Sequence, residues 1–108
     1  MKVSVSGKQL ELGEALKRHV SERLASVVAK YYDNAIEGHV IFRHEAHLIR
    51  SECLIHVGTG ISLGAHADGA DVYASFDAAL MRLEKQLRRD KRRRRSHRRT
   101  SGRASVKA

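Results

Sequence analysis

The sequence predicts an α+β fold with the order strand, helix, three strands, helix, in which two amphipathic helices pack on one face of a four-stranded sheet. Two observations support this order. Apolar residues recur at helical spacing in two segments, and they alternate with polar residues in the other segments. The chain has 108 residues, which is enough for one domain and too few for two.

The first strand and the first helix occupy the opening third of the chain. Residues 3–6 alternate between valine and serine, which predicts a strand that ends in a turn at Gly7-Lys8. A helix follows, because five apolar residues recur at spacings of four, four, three and four after Gly13, a tolerated N-cap. This stripe consists of Leu16, Val20, Leu24, Val27 and Tyr31.

The next segment changes to an alternating period, which predicts an antiparallel meander of three strands with one apolar face. Gly58-Thr59-Gly60 marks the turn between the last two strands, and a turn around Ala46-His47-Leu48 joins the first two. The side chains that share the predicted apolar face are Val40, Phe42, Ser51, Cys53, Ile55, Val57, Ile61, Leu63, Ala65 and Ala67.

The last helix is preceded by Asp68 and Asp71, either of which is a good N-cap. No apolar residue follows Leu87 until Ala104, so the helix is predicted to continue to about Arg95 with nothing there that packs on the core. Residues 1–95 are therefore the predicted domain, and residues 96–108 a basic flexible tail or the start of a linker. The apolar stripe of this helix, spaced three, four, three and four, consists of Tyr73, Phe76, Leu80, Leu83 and Leu87.

The charge is divided unevenly along the chain. Residues 1–81 contain eight Lys/Arg and ten Asp/Glu, whereas residues 82–108 contain thirteen Lys/Arg and two Asp/Glu. Cations spaced three, four and three form a second stripe on the last helix, and arginine forks match phosphate geometry, so a polyanion partner is predicted. The predicted contact residues are Arg82, Lys85, Arg88, Arg89, Lys91, Arg92, Arg93, Arg94 and Arg95.

Nucleic acid is a better partner for this helix than a membrane. A membrane-binding helix carries a free apolar face opposite its cations, but here the core needs the apolar stripe. Tyr31, Phe42, Tyr73 and Phe76 fall on predicted core stripes and leave only Tyr32, so no platform for stacking unpaired bases is expected. Recognition is therefore predicted to rest on RNA phosphates and RNA shape.

Other residues with reactive or metal-binding side chains are better explained by structure than by chemistry. His44-Glu45-Ala46-His47 lacks the helical two-histidine spacing of a zinc protease, and Cys53 lies in an alternating apolar strand. Capping and dipole interactions account for Asp68, Asp71 and Asp77 at the start of the last helix. We therefore predict no enzyme activity, no metal, no cofactor and no small-molecule substrate.

The composition predicts a cytoplasmic protein. One cysteine gives no disulfide framework, and the N-terminus lacks the continuous apolar core of a signal peptide. No stretch of the sequence reaches the apolar length needed to cross a bilayer, so no membrane partner is expected.

From Val3 to Arg93 the chain resembles the ribosome hibernation-promoting factors, also called ribosome-associated inhibitors or bacterial sigma-modulation-like proteins. The most specific pieces are Asp71-Val72-Tyr73-Ala74-Ser75-Phe76-Asp77 and then Leu83-Glu84-Lys85-Gln86-Leu87-Arg88-Arg89. Weaker pieces are Val5-Ser6-Gly7 with Leu10 and Leu12, Glu14-Ala15-Leu16, Leu24 with Tyr31-Tyr32, and Cys53-Leu54-Ile55-His56-Val57.

This resemblance implies binding to the small ribosomal subunit and its rRNA at the decoding region, in the channel that mRNA and tRNA occupy. Competition with mRNA and tRNA would block translation and preserve idle ribosomes under stress or in stationary phase. The implied rRNA contacts are the basic face of the last helix and, more weakly, Arg23 and Lys30 of the first. Long members carry a second domain that dimerises ribosomes. This chain is compatible both with a short form of the family and with a piece of a long form.

Two alternatives use the same charge. Double-stranded RNA-binding domains share the order helix, three strands, helix, but they place lysines at the start of the last helix, where Asp68-Gly69-Ala70-Asp71 would repel phosphate. A protein-interaction module would instead bind an acidic partner through the basic tail. Both alternatives account less well for the helical spacing of the cations on the last helix.

Overall fold

The computed structural model describes residues 1–58 and 60–107, and it describes side chains for residues 1–58 and 60–94. The predicted order of elements is confirmed. The elements are β1 (Lys2–Lys8), α1 (Glu14–Ala29), β2 (Glu37–Glu45), β3 (Leu48–Gly58), β4 (Ile61–Gly69) and α2 (Val72–Lys107). The predicted helix end near Arg95 is wrong, because α2 runs to Lys107. The side chains of residues 96–108 lie outside those described, and the division into a domain over residues 1–95 and a basic tail over residues 96–108 stays a prediction.

The four strands lie in the order β1-β2-β3-β4. Strand β1 is parallel to β2, as a crossover through α1 allows, and the two hairpins make β2, β3 and β4 antiparallel. The register places Val5, Val40, Cys53 and Ala65 in one row across the sheet, on the face that the helices cover. The alternating period of the sequence therefore becomes one apolar face shared by all four strands. The prediction that Ile61 shares this face is wrong, because its side chain is exposed at the start of β4.

The two hairpins turn where the sequence predicts. Ala46 adopts a positive φ of 57° in the turn between β2 and β3, and Gly60 adopts 70° between β3 and β4. The turn after β1 differs, because the strand runs through Gly7-Lys8 and the positive φ of 58° falls on Gln9.

The core lies between this face and the two helices. All four predicted core residues of α1 from Leu16 to Val27 are buried, together with Val28, and Tyr31 is half-buried beyond the end of the helix. On α2 the buried stripe consists of Phe76, Leu80, Leu83 and Leu87.

Tyr73 is the exception to the predicted stripe of α2. Its side chain is 48% exposed, and its ring lies 5.5 Å from the ring of His19 on α1 instead of on the sheet. The prediction that Tyr73 belongs to the core is wrong, because helical spacing alone does not show where the covering sheet ends.

The N-cap of α2 is Asp71 and not Asp68. Asp71 Oδ1 accepts a hydrogen bond from the Ala74 backbone N–H at 2.8 Å, which satisfies a donor of the first turn. Asp68 instead pairs with Arg50 across the β3–β4 ladder at 2.9 Å, and this hydrogen bond holds the pKa of Asp68 below its usual range. A side chain on Gly69 would come within 2.5 Å of the Ser75 backbone nitrogen, so glycine permits the abrupt entry into α2.

Two substitutions on α2 separate the core stripe from the exposed ring. Phe76→Ala is expected to lower the free energy of unfolding by about 3–5 kcal/mol, because it leaves a cavity among fully buried side chains. Tyr73→Ala is expected to cost less than about 1 kcal/mol. Urea denaturation followed by circular dichroism measures both, and similar losses for the two variants would contradict this assignment.

The buried thiol of Cys53 gives a second test of the core. Burial raises its pKa from 9.0 to about 12, against a smaller lowering by the Ser51 hydroxyl. Its contribution to stability is therefore fully present below about pH 9 and is lost as the pH rises toward 12. We expect iodoacetamide to label Cys53 only as fast as the domain unfolds. Rapid labelling of the native protein at pH 8 would show that the thiol is accessible.

Candidate nucleic-acid interface

Four cations lie together on the solvent side of α2. Lys85, Arg88, Arg89 and Arg92 line one shallow cleft, and all four are exposed. Their spacing of three and four residues places them on one helix face, opposite the buried Leu83 and Leu87. Among the side chains that the structure describes, none of the four pairs with an acid. These residues are called the outer patch below.

Arg82 lies on the same helix but turns toward the edge of the sheet. Its Nη1 donates a hydrogen bond to the His66 carbonyl at 2.7 Å, and Gln86 Nε2 donates to the Gly64 carbonyl at 2.6 Å. Both acceptors belong to β4, an edge strand whose outer carbonyls would otherwise lack partners. Arg82 therefore joins α2 to the sheet while the rest of its guanidinium stays exposed.

Two of the predicted contact residues, Lys91 and Arg94, point toward α1 and away from the outer patch. Arg94 Nη2 donates to the Tyr31 carbonyl at 3.3 Å, and its guanidinium lies 4.2 Å from the centre of the Tyr32 ring. Lys91 Nζ donates to the Lys30 carbonyl at 3.4 Å. Beyond Leu87, α2 therefore contacts the end of α1 through polar side chains, although no described residue there joins the apolar core.

The remaining predicted contact residues are Arg23, Lys30, Arg93 and Arg95. Arg23 lines a groove between α1 and α2 together with Asp77 and Glu84, and Lys30 Nζ lies 3.6 Å from Glu84 Oε2. Arg23 of α1 and Lys30, just past its end, thus both lie beside acids and apart from the outer patch. Arg93 is exposed, whereas the side chain of Arg95 lies outside the described residues.

The arrangement suits binding of phosphates at fixed positions. Four unpaired cations on one rigid helix face can each bind a phosphate oxygen, and three of them are arginines, whose planar forks bind two oxygens at once. In the described part of the chain, no group of three or more His, Cys, Asp or Glu is placed to hold a metal ion. None of the described helices has both the length and the apolar composition needed to span a membrane.

A family model described as sigma 54 modulation protein / S30EA ribosomal protein matches residues 3–95. The chain belongs to this family. The match covers both helices' core stripes and the outer patch, and it confirms the resemblance noted from the sequence.

Three relatives of the chain are ribosome hibernation factors. The chain is 40% identical over 91 residues to the ribosome hibernation promotion factor of Bradyrhizobium diazoefficiens, covering 84% of this chain and 45% of that protein. It is 33% identical over 106 residues to the factor of Rhizobium meliloti, covering 98% and 56%. It is 30% identical over 91 residues to the ribosome hibernation promoting factor of Escherichia coli (strain K12), covering 84% and 94%. The chain thus spans about half the length of the first two relatives.

Solved structures share the fold. The N-terminal domain of Thermus thermophilus Protein Y superposes with a TM-score of 0.72 at 29% identity, covering 82% of this chain and 98% of that one. A ribosomal subunit interface protein from Coxiella burnetii gives a TM-score of 0.69 at 22% identity, covering 84% and 98%.

The outer patch should dominate the salt dependence of RNA binding. Lys85→Gln with Arg89→Gln is expected to reduce the slope of log K against log salt by about one for each cation removed, because fewer counterions are released. The matched control is Lys8→Gln with Arg18→Gln, which removes the same charge from exposed sites on β1 and α1. Titration of a short RNA duplex at several salt concentrations measures the slope. Equal reductions in both variants would mean that net charge matters and the patch does not.

Proposed function

We propose that the protein is a ribosome hibernation factor that binds the small ribosomal subunit through the outer patch of α2. The observation that carries this proposal is a set of four exposed cations, none of which pairs with an acid among the described side chains, on a helix whose opposite face is buried. Family membership supports it, as does similarity to a hibernation promoting factor that the chain matches over 94% of its length.

The proposed binding site is the decoding region of the small subunit, in the channel that mRNA and tRNA occupy. A rigid helix about 10–12 Å wide with phosphate-binding cations on one face suits a channel walled by RNA backbone. Occupancy excludes mRNA and tRNA by volume, so translation stops without any chemical step. We accordingly propose a cytoplasmic binding protein that acts under stress or in stationary phase, with no catalytic activity, cofactor or metal.

The distribution of acids argues for this site over general duplex binding. Asp68 and Asp71 are exposed at the start of α2, where they would repel the phosphates of a duplex gripped at that end. The cations of the outer patch lie instead between Lys85 and Arg92, past these acids along α2. Cations in one fixed arrangement favour RNA of complementary shape.

Charge reversal of the outer patch tests the proposal. The wild-type protein is expected to co-sediment with purified small subunits at moderate salt and to be displaced by tRNA. Lys85→Glu with Arg89→Glu should abolish co-sedimentation and the inhibition of translation in vitro. Its circular-dichroism melt should stay nearly unchanged, because both side chains are exposed.

The control for this test is Lys8→Glu with Arg18→Glu, which makes the same change in net charge away from α2 and should keep binding. A wild-type protein that stays in the supernatant while binding plain duplex RNA would overturn the ribosome proposal in favour of a general duplex-binding module. Loss of folding in the patch variant would show that Lys85 and Arg89 are structural.

A further inference from the structure

The outer patch extends beyond the part of α2 that the core holds. Among the side chains that the structure describes, Leu87 is the last buried apolar residue of the helix, and Arg88, Arg89 and Arg92 follow it. Lys85 with Arg89, and Arg88 with Arg92, are like charges four residues apart, which destabilise a helix. The patch residues that follow Leu87 therefore need structural support that the apolar core does not give.

That support comes from the residues where the core stripe would continue. Asp90 and Arg94 follow Leu87 at spacings of three and four, on the same helix face, and both are half-buried. The Tyr32 hydroxyl donates a hydrogen bond to Asp90 Oδ2, which also pairs with Arg94 Nε at 3.0 Å. The Arg94 guanidinium lies over the Tyr32 ring at 4.2 Å.

Tyr31 makes a second set of contacts beside the first. Its hydroxyl donates to Glu84 Oε2 at 2.8 Å, and Lys91 Nζ lies 5.9 Å from the centre of its ring. The carbonyls of Lys30 and Tyr31, just past the end of α1, accept from Lys91 and Arg94. The last turn of α1 contains no basic residue, so α2 supplies the cations that favour this helix end.

These contacts determine which charged side chains of residues 82–94 face α1 and which face solvent. Glu84 and Asp90 are the two acids among residues 82–108, and both bind a tyrosine hydroxyl. Lys91 and Arg94 face α1, which leaves Arg93 and the four outer-patch cations facing solvent. We call Tyr31 and Tyr32, with their partners Glu84, Asp90, Lys91 and Arg94, the tyrosine clamp.

We propose that Tyr31 and Tyr32 are positioning residues that fix the direction of the outer patch and so determine its selectivity for shaped ribosomal RNA over an arbitrary polyanion. This inference rests on the proposed function. The number of unpaired cations sets the affinity for any polyanion, whereas selectivity requires those cations to be held in one geometry before binding. The clamp supplies that geometry where the core ends.

The test compares two ligands across three variants of the full chain. Tyr31→Ala with Tyr32→Ala removes the clamp, Tyr31→Phe with Tyr32→Phe keeps the rings and removes the hydroxyls, and Tyr73→Ala removes an exposed tyrosine ring elsewhere on α2. Affinities are measured for purified small subunits and for a short RNA duplex. Hydrogen exchange of the backbone amides in residues 88–94 reports whether the helix is held.

The alanine pair is expected to lose about tenfold or more in subunit affinity and less than about twofold in duplex affinity, because all cations of the patch remain. The phenylalanine pair should lose less, and Tyr73→Ala should match the wild type. Faster exchange should be confined to residues 88–94, with β3 unchanged. Faster exchange throughout would show a general stabilising role and overturn the positioning role.

Two further outcomes overturn the inference in distinguishable ways. If the wild type prefers subunits and the alanine pair keeps that preference while residues 88–94 exchange faster, the clamp does not determine selectivity and the proposed function stands. If the wild type itself shows no preference for subunits over duplex, the proposed function fails and the inference fails with it.

Discussion

The burial of one face of α2 against the sheet determines what its opposite face can do. Phe76, Leu83 and Leu87 are fully enclosed, and the Phe76 ring packs on Phe42 with centroids 6.4 Å apart. Any rotation of the helix about its axis would expose this apolar surface, which is costly. Because the outer patch lies on the opposite side, the direction of its cations is set by the packing of the core. The first half of the patch thus obtains its geometry from contacts that the fold needs anyway.

The second half of the patch depends on polar contacts instead. Beyond Leu87 the same helix face continues as Asp90 and Arg94, which bind Tyr32 and the end of α1. A polar continuation has a physical advantage here, because an apolar one would need a longer sheet to cover it. Two tyrosines at the end of α1 instead cover the helix with ring surface and supply a hydroxyl to each acid. The segment between α1 and β2 therefore influences a surface that is more than fifty residues away in the sequence.

The parts of the structure that follow from local periodicity could be predicted from the sequence. The alternation of β2, β3 and β4 and the stripes of both helices predicted the buried residues, with Ile61 and Tyr73 as the errors, because a period does not show where its covering surface ends. The choice of Asp71 as N-cap was not predictable, because it depends on Arg50, a partner on another strand that takes Asp68. The inward direction of Lys91 and Arg94 depends likewise on Tyr31 and Tyr32. A local signal for it existed in the spacing of Leu87, Asp90 and Arg94, but it is visible only if polar residues are counted as part of the stripe.

The distribution of charge along α2 also gives the proposed interface a polarity. Asp68, Asp71 and Asp77 are exposed near the start of the helix, and Glu84 and Asp90 are held in contacts with α1. The exposed cations of the outer patch are thus concentrated between Lys85 and Arg92, and the exposed acids precede them along the chain. A phosphate-lined surface would attract the outer patch and repel the acids that precede it, so electrostatics favours one orientation of the domain on such a surface. In the proposed complex, charge selects which part of α2 meets the RNA, and packing fixes how the four cations are presented to it.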